Sequence, residues 1–69
     1  MTAPAEAALE RAKDAVGGAA VLARRLTVIG RPITTQGVSA WRRVPAERVV
    51  DVERATGVSR QELRPDLYQ

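Results

Sequence analysis

Histidine and cysteine are both missing from this 69-residue sequence, and its aromatic side chains are one Trp and one Tyr. Without them there is no thiolate nucleophile, no imidazole base, no His/Cys ligand set for zinc or haem, and no disulfide framework. Paired carboxylates for acid–base work are lacking as well: Asp51 and Glu53 are two apart and do not share a helix face. The composition argues against an enzyme and against a cofactor or bound metal. No apolar run approaches the roughly 20 residues that span a bilayer. Met1 to Ala8 carries Glu6 and no basic stretch, so neither a signal peptide nor an anchor is expected. The expectation is a soluble cytoplasmic protein with no evident small-molecule ligand.

What is present is a small basic chain. Its length accommodates one domain, residues 1–69, built on one core near the size where a lone core becomes marginal. Eleven Lys and Arg against eight Asp and Glu give a net charge of +3. Residues 1–23 hold Arg11 and Lys13 against Glu6, Glu10 and Asp14. Residues 24–48 hold Arg24, Arg25, Arg31, Arg42, Arg43 and Arg48 against Glu47 alone. Residues 49–69 hold Arg54, Arg60 and Arg64 against Asp51, Glu53, Glu62 and Asp66. A basic middle between acidic ends is the footprint of a polyanion site, nucleic acid being the commonest such partner. Charge alone fits a solvated Arg-rich surface equally well.

Ala5, Ala8, Leu9, Ala12 and Val16 recur at helical spacing behind Pro4 and ahead of Gly17-Gly18, which predicts a first helix opened by Pro and stopped by Gly. A second, short helix is expected over Ala19 to Leu26, ending before Thr27, with Gly30-Arg31-Pro32 as a loop. Thr34 is placed to cap a third helix, Thr35 to Arg43, with Ile33 and Val38 as a hydrophobic staple. A fourth helix follows from Ala46 to Thr56 with Gly57 as its stop. Ser59 and Glu62 read as a complete capping box opening a last short turn, broken by Pro65. The fold class is all-α: a compact bundle of about five short helices with no strand signal.

At about 100° per residue, a third helix of that length buries Val38 and Trp41 and turns Gln36, Ser39, Ala40 and Arg43 outward, with Thr35 and Arg42 on its flanks. Gln can pair its amide with adenine, Arg can fork onto guanine, Ser reads a base or a phosphate, and a Thr methyl can meet the thymine methyl. A short exposed helix that is merely solvated is the plainer alternative. Arg48 at the start of the fourth helix is a candidate phosphate clamp, whereas Arg64 and Asp66 around Pro65 are expected to bond each other or backbone carbonyls.

A short helix, a connection and a second helix with outward Gln, Ser and Arg is the arrangement of a helix-turn-helix. Leu22-Ala23-Arg24-Arg25-Leu26 followed by Ile33-Thr34-Thr35-Gln36-Gly37-Val38-Ser39-Ala40-Trp41 resembles the helix-turn-helix of Cro-type phage regulators. More closely, Arg43-Val44-Pro45-Ala46-Glu47-Arg48-Val49, Glu53-Arg54-Ala55-Thr56-Gly57-Val58-Ser59 and Glu62-Leu63-Arg64-Pro65-Asp66-Leu67-Tyr68 are similar to the YdaS-like Cro-family regulators of prophages and prophage-like loci. The likeness runs from about Leu9 to Tyr68. It implies a bacterial or phage protein that binds operator DNA, often as a dimer, and represses transcription. By position it implies that Thr34, Thr35, Gln36, Ser39 and Arg42 or Arg43 fall where such proteins touch DNA, and Ala23, Val38 and Trp41 where they pack. Two departures stand out. The connection Thr27 to Pro32 is about five residues longer than the usual tight turn, and Gly18-Ala19-Ala20 offers only backbone N–H groups where the second helix usually begins with a polar cap.

The resulting expectation is a sequence-specific DNA-binding transcriptional regulator, a repressor acting through the major groove and homodimeric at least on DNA. Thr35, Gln36, Ser39 and Arg43 are assigned to bases, and Arg24, Arg31, Thr34, Arg42 and Arg48 to the backbone. The alternative is an antitoxin-like or adaptor module that binds protein through Val28, Ile29, Leu67 and Tyr68.

Overall fold

The computed structural model describes residues 3–68 as five α-helices and one 3-10 turn, with no strand among them. Helix α1 spans Pro4–Val16. Proline at its first position lacks an N–H that would have gone unpaired anyway. Gly17, at φ 103°, takes the left-handed conformation that ends it and donates to the Lys13 and Asp14 carbonyls. Ala8, Leu9 and Ala12 form its buried stripe, as their spacing predicts.

Helix α2 spans Ala19–Ile29 and buries Leu22, Ala23 and Leu26. It runs three residues past the expected end at Leu26. The apolar stripe does stop there, but propagation needs only one backbone hydrogen bond per added residue, and the Gly30 amide still donates to the Leu26 carbonyl at 2.9 Å. Val28 and Ile29 are thus helical and face outward, 80% and 41% exposed.

Helix α3 is shorter than expected, Thr35–Ser39 rather than Thr35 to Arg43. On a continuous helix Val38 and Val44 would lie about 120° apart, yet both are fully buried. The chain satisfies both by leaving the helix. The Trp41 amide closes a tight turn onto the Val38 carbonyl at 3.1 Å, and Pro45 holds the residue before it away from helical geometry. Trp41 packs half-buried against the core.

The expected fourth helix is split. Ala46–Arg48 form a 3-10 turn behind Pro45, and α4 proper is Val49–Thr56, ended by Gly57 at φ 82°. Helix α5, Arg60–Leu63, begins on Ser59, whose Oγ accepts from the Glu62 amide at 3.2 Å. The capping box is only half made. Glu62 Oε2 receives the Ser59 hydroxyl at 3.3 Å, while Glu62 Oε1 faces Arg11 at 3.4 Å.

One core joins all five helices: Leu9 from α1, Leu22 and Leu26 from α2, Val38 from α3, Val49 and Val52 from α4 and Leu63 from α5, with Val44 from the loop after α3. Ala8, Ala12 and Ala23 let the backbones approach closely. Each of the leucines is worth about 2–5 kcal/mol against alanine at such a site.

Arg64 locks the C-terminal turn to this core. Nearly buried, it donates from Nη1 to the Val44 carbonyl at 3.1 Å and grips Asp66 through Nε and Nη2 at 2.9 and 2.7 Å. A second brace joins α4 to α5: Glu53 accepts from the Arg60 amide at 2.9 Å and from its guanidinium at 2.8 and 3.0 Å, and that guanidinium sits 5.7 Å from the Tyr68 ring centroid.

Candidate nucleic-acid interface

Residues 27–29 continue α2, so the connection to α3 is Gly30 to Thr34 and not the loop expected over Thr27 to Pro32, and residues 31–33 within it make no backbone–backbone hydrogen bonds. Three contacts fix it. Thr27, in the last full turn of α2, accepts the Ile33 amide on Oγ1 at 3.1 Å while its own proton has the Ala23 carbonyl at 2.9 Å. Arg48, at the end of the 3-10 turn, donates from Nη1 to the Arg31 carbonyl at 2.6 Å and from Nη2 to the Pro32 carbonyl at 3.2 Å. The Asp51 carboxylate lies so close against Gly30 that a Cβ there would collide with it. Any larger residue at position 30 would have to push the Asp51 carboxylate aside.

Behind this connection, Thr34 opens α3 by accepting the Gly37 amide on Oγ1 at 3.0 Å. Gly37 is crowded from the same side, since a Cβ would stand 3.0 Å from Ile33 Cγ1 and 3.3 Å from Thr34 Oγ1. Val38, fully buried, sets the rotation of the helix. On that rotation Gln36 falls about 160° from Val38, Ser39 about 100° and Thr35, on the flank, about 60°, and all three are exposed. A small polar surface is thereby held on a fixed support.

Arginines surround it. Arg31 precedes α3 in the connection and is exposed. Arg42 and Arg43 follow in the loop after the helix, not on its flank and outward face as a helix through Arg43 would have placed them. Their contacts with carboxylates are long: Arg42 Nε to Glu6 and Arg43 Nη1 to Asp66, both at 3.9 Å. Such exposed pairs hold a side chain weakly and leave it available to a phosphate. Arg24 is exposed on α2.

Arg48 differs from the other predicted arginines in that its guanidinium is already hydrogen-bonded, to the loop carbonyls. Its role in this geometry is to position the connection that carries Thr34 and Thr35. The sequence marks the capping Thr34, the outward Gln36 and Ser39, the flanking Thr35 and Gly30 as a loop residue, but not the contacts that Thr27, Gly30 and Asp51 make. Their partners are tertiary, so no local spacing signals them.

The shifted ionisations belong to the braces at the C-terminal end. Asp66 is held down at about 2, first by its hydrogen bonds from Arg64, and the Glu53 carboxyl is lowered by its hydrogen bonds from Arg60. Both arginines are raised in turn by those same carboxylates. Among the described residues no cluster of three acidic, His or Cys side chains is placed to hold a metal ion, and no helix is long and apolar enough to cross a membrane.

The family model described as bacterial toxin YdaS matches residues 9–69. No match was found among curated proteins or among solved structures.

Proposed function

The chain belongs to the YdaS family, a phage-related family of small helix-turn-helix-like proteins, and from that premise we propose that it is a sequence-specific DNA-binding regulator that represses transcription at operator DNA. The observation that carries this reading is the exposed Thr35–Gln36–Ser39 arc, held on a capped helix whose rotation is fixed by buried Val38. These are residue types that a major-groove helix uses for base edges. Arg31 and Arg42 flank the arc as phosphate contacts, and Arg43 reaches bases or backbone from the loop. Arg24 adds non-specific attraction from α2.

A helix of five residues reads few base pairs, so the proposal includes binding as a pair of copies on half-sites about one helical turn apart. The activity proposed is binding, with no catalytic step, and its place is the cytoplasm, on nucleoid DNA. The family's description as a toxin is compatible with this chemistry, because a small DNA binder made in excess can arrest growth by occupying promoters.

A genome-wide pull-down of DNA bound to the tagged protein, repeated with Gln36→Ala plus Arg43→Ala, tests the proposal. Sharp promoter peaks lost in the double variant support it. Broad or absent enrichment, unchanged by the variant, overturns it.

A further inference from the structure

We propose that the groove between the last turns of α2 and α4 docks a partner protein through a segment carrying a bulky apolar side chain between carboxylates. The cavity has a volume of about 250 Å³ and is lined by Arg24, Arg25, Val28, Ile29, Arg54 and Ala55. Its floor is apolar and open: Val28 and Ile29 are 80% and 41% exposed. Its rim is cationic, and among the described residues no carboxylate comes within ion-pair distance of Arg24, Arg25 or Arg54.

The combination selects the occupant. A nucleic-acid backbone would satisfy the arginines but gain nothing from Val28 and Ile29, because its phosphates and sugars need polar partners. A second copy docking by the same face would bring three arginines against the same three across a twofold axis, with no carboxylate in the groove lining to offset them. The volume lies below the roughly 300–1,000 Å³ of small-molecule sites and suits one anchoring side chain. An acidic amphipathic segment meets each demand at once, its apolar anchor on Val28 and Ile29 and its carboxylates on the three guanidinium groups.

The groove also lies away from α3. Thr27 faces the connection that leads to α3; Arg25 and Ile29 are each about 160° around α2 from it and Val28 about 100°, whereas Arg24, about 60° away, forms the rim on the α3 side. The partner would therefore bind while the Thr35–Gln36–Ser39 arc remains open, sharing with DNA only Arg24.

The test pans a random peptide library, displayed on phage, against the immobilised full chain, and measures the leading peptide in solution by fluorescence polarisation. Enriched peptides should share a Leu, Phe or Trp flanked by Asp or Glu. Val28→Gln should weaken the leading peptide at least tenfold, and Arg24→Gln with Arg54→Gln should abolish the selection for carboxylates. Both variants alter exposed groups and should keep the wild-type melting temperature, and Val28→Gln should keep its DNA affinity. No enrichment, enrichment without carboxylates, or equal binding to Val28→Gln would overturn the proposal. So would a Val28-dependent dimer in sedimentation velocity, or a loss of DNA affinity in Val28→Gln.

Discussion

Arg48 grips the main chain of Arg31, 17 residues earlier, with its Nη1 2.6 Å from the Arg31 carbonyl oxygen and its Nη2 3.2 Å from that of Pro32. A connection that is long for a helix-turn-helix is thereby given the rigidity that a tight turn would have supplied by its own hydrogen bonds.

Replacing Arg48 by Gln should leave the helices intact, cost about 1 kcal/mol of stability, and speed amide exchange at Ile33. Affinity for the cognate operator should fall more than affinity for random DNA, because what is lost is the placement of Thr34 and Thr35. The salt dependence of binding decides between strut and phosphate clamp: loss of a phosphate contact would reduce the log–log slope by about 1, whereas loss of a strut leaves it unchanged.

Gly37→Ala opposes two effects of known sign. Alanine gains about 1 kcal/mol over glycine in a helix interior, but its Cβ would press on Ile33 and on the capping Thr34 hydroxyl. Loss of that cap costs about 0.5–2 kcal/mol. The expected outcome is a net destabilisation, read as a lower urea midpoint with unchanged slope. A higher midpoint would show that Ile33 gives way freely.

Gln36→Ala should cost about 1–3 kcal/mol on the cognate site and relax preference at one base pair, with no change in melting temperature since Gln36 is exposed. Arg31→Ala should weaken cognate and random DNA alike. Equal losses for Gln36→Ala on both DNAs would remove it from base reading.

Acid should weaken the fold through its C-terminal braces. Asp66 ionises at about 2 in the folded chain against an ordinary 3.8. The ionised Arg64–Asp66 pair therefore stabilises the fold above about pH 4, and that contribution disappears as pH falls toward 2. Glu53, lowered by Arg60, acts with the same sign. Melting temperature should hold from pH 7 to 5 and drop below that. Asp66→Asn should melt lower at pH 7, fall less steeply in acid, and converge on the wild type near pH 2.

If overproduction arrests growth, the arrest should vanish with Gln36→Ala plus Arg43→Ala and persist with Val28→Gln. Arrest that survives loss of the α3 face would place the harmful activity elsewhere on the molecule.

What could be read from the chain follows from the range of each interaction. Pro4, Gly17, Thr34 and Ser59 act within a turn of their own position, so the starts of α1, α3 and α5 and the stop of α1 were visible. Val38 and its outward neighbours were visible because Thr34 fixes the start of α3 and helical geometry does the rest. The lengths of α2 and α3 were not. Val28 and Ile29 extend a helix without burying a stripe, and α3 ends early because Val44, six residues beyond Val38, must be buried too. Arg48 on Arg31 and Arg64 on Val44 join a side chain to a carbonyl 17 and 20 positions away. Every residue owns a carbonyl, so nothing in the sequence marks which ones are used.

The bond from Arg64 to Val44 also has a consequence for biosynthesis. The backbone just after α3 is secured by a side chain that the ribosome adds 20 residues later, about 1–4 s at translation speeds of 5–20 residues per second. Until it arrives, the turn that carries Val44 lacks the bond that ties it to the C-terminal segment. A ribosome that stalls before Arg64 should release a product lacking both this bond and the Asp66 pair, which proteases clear faster than the full-length chain.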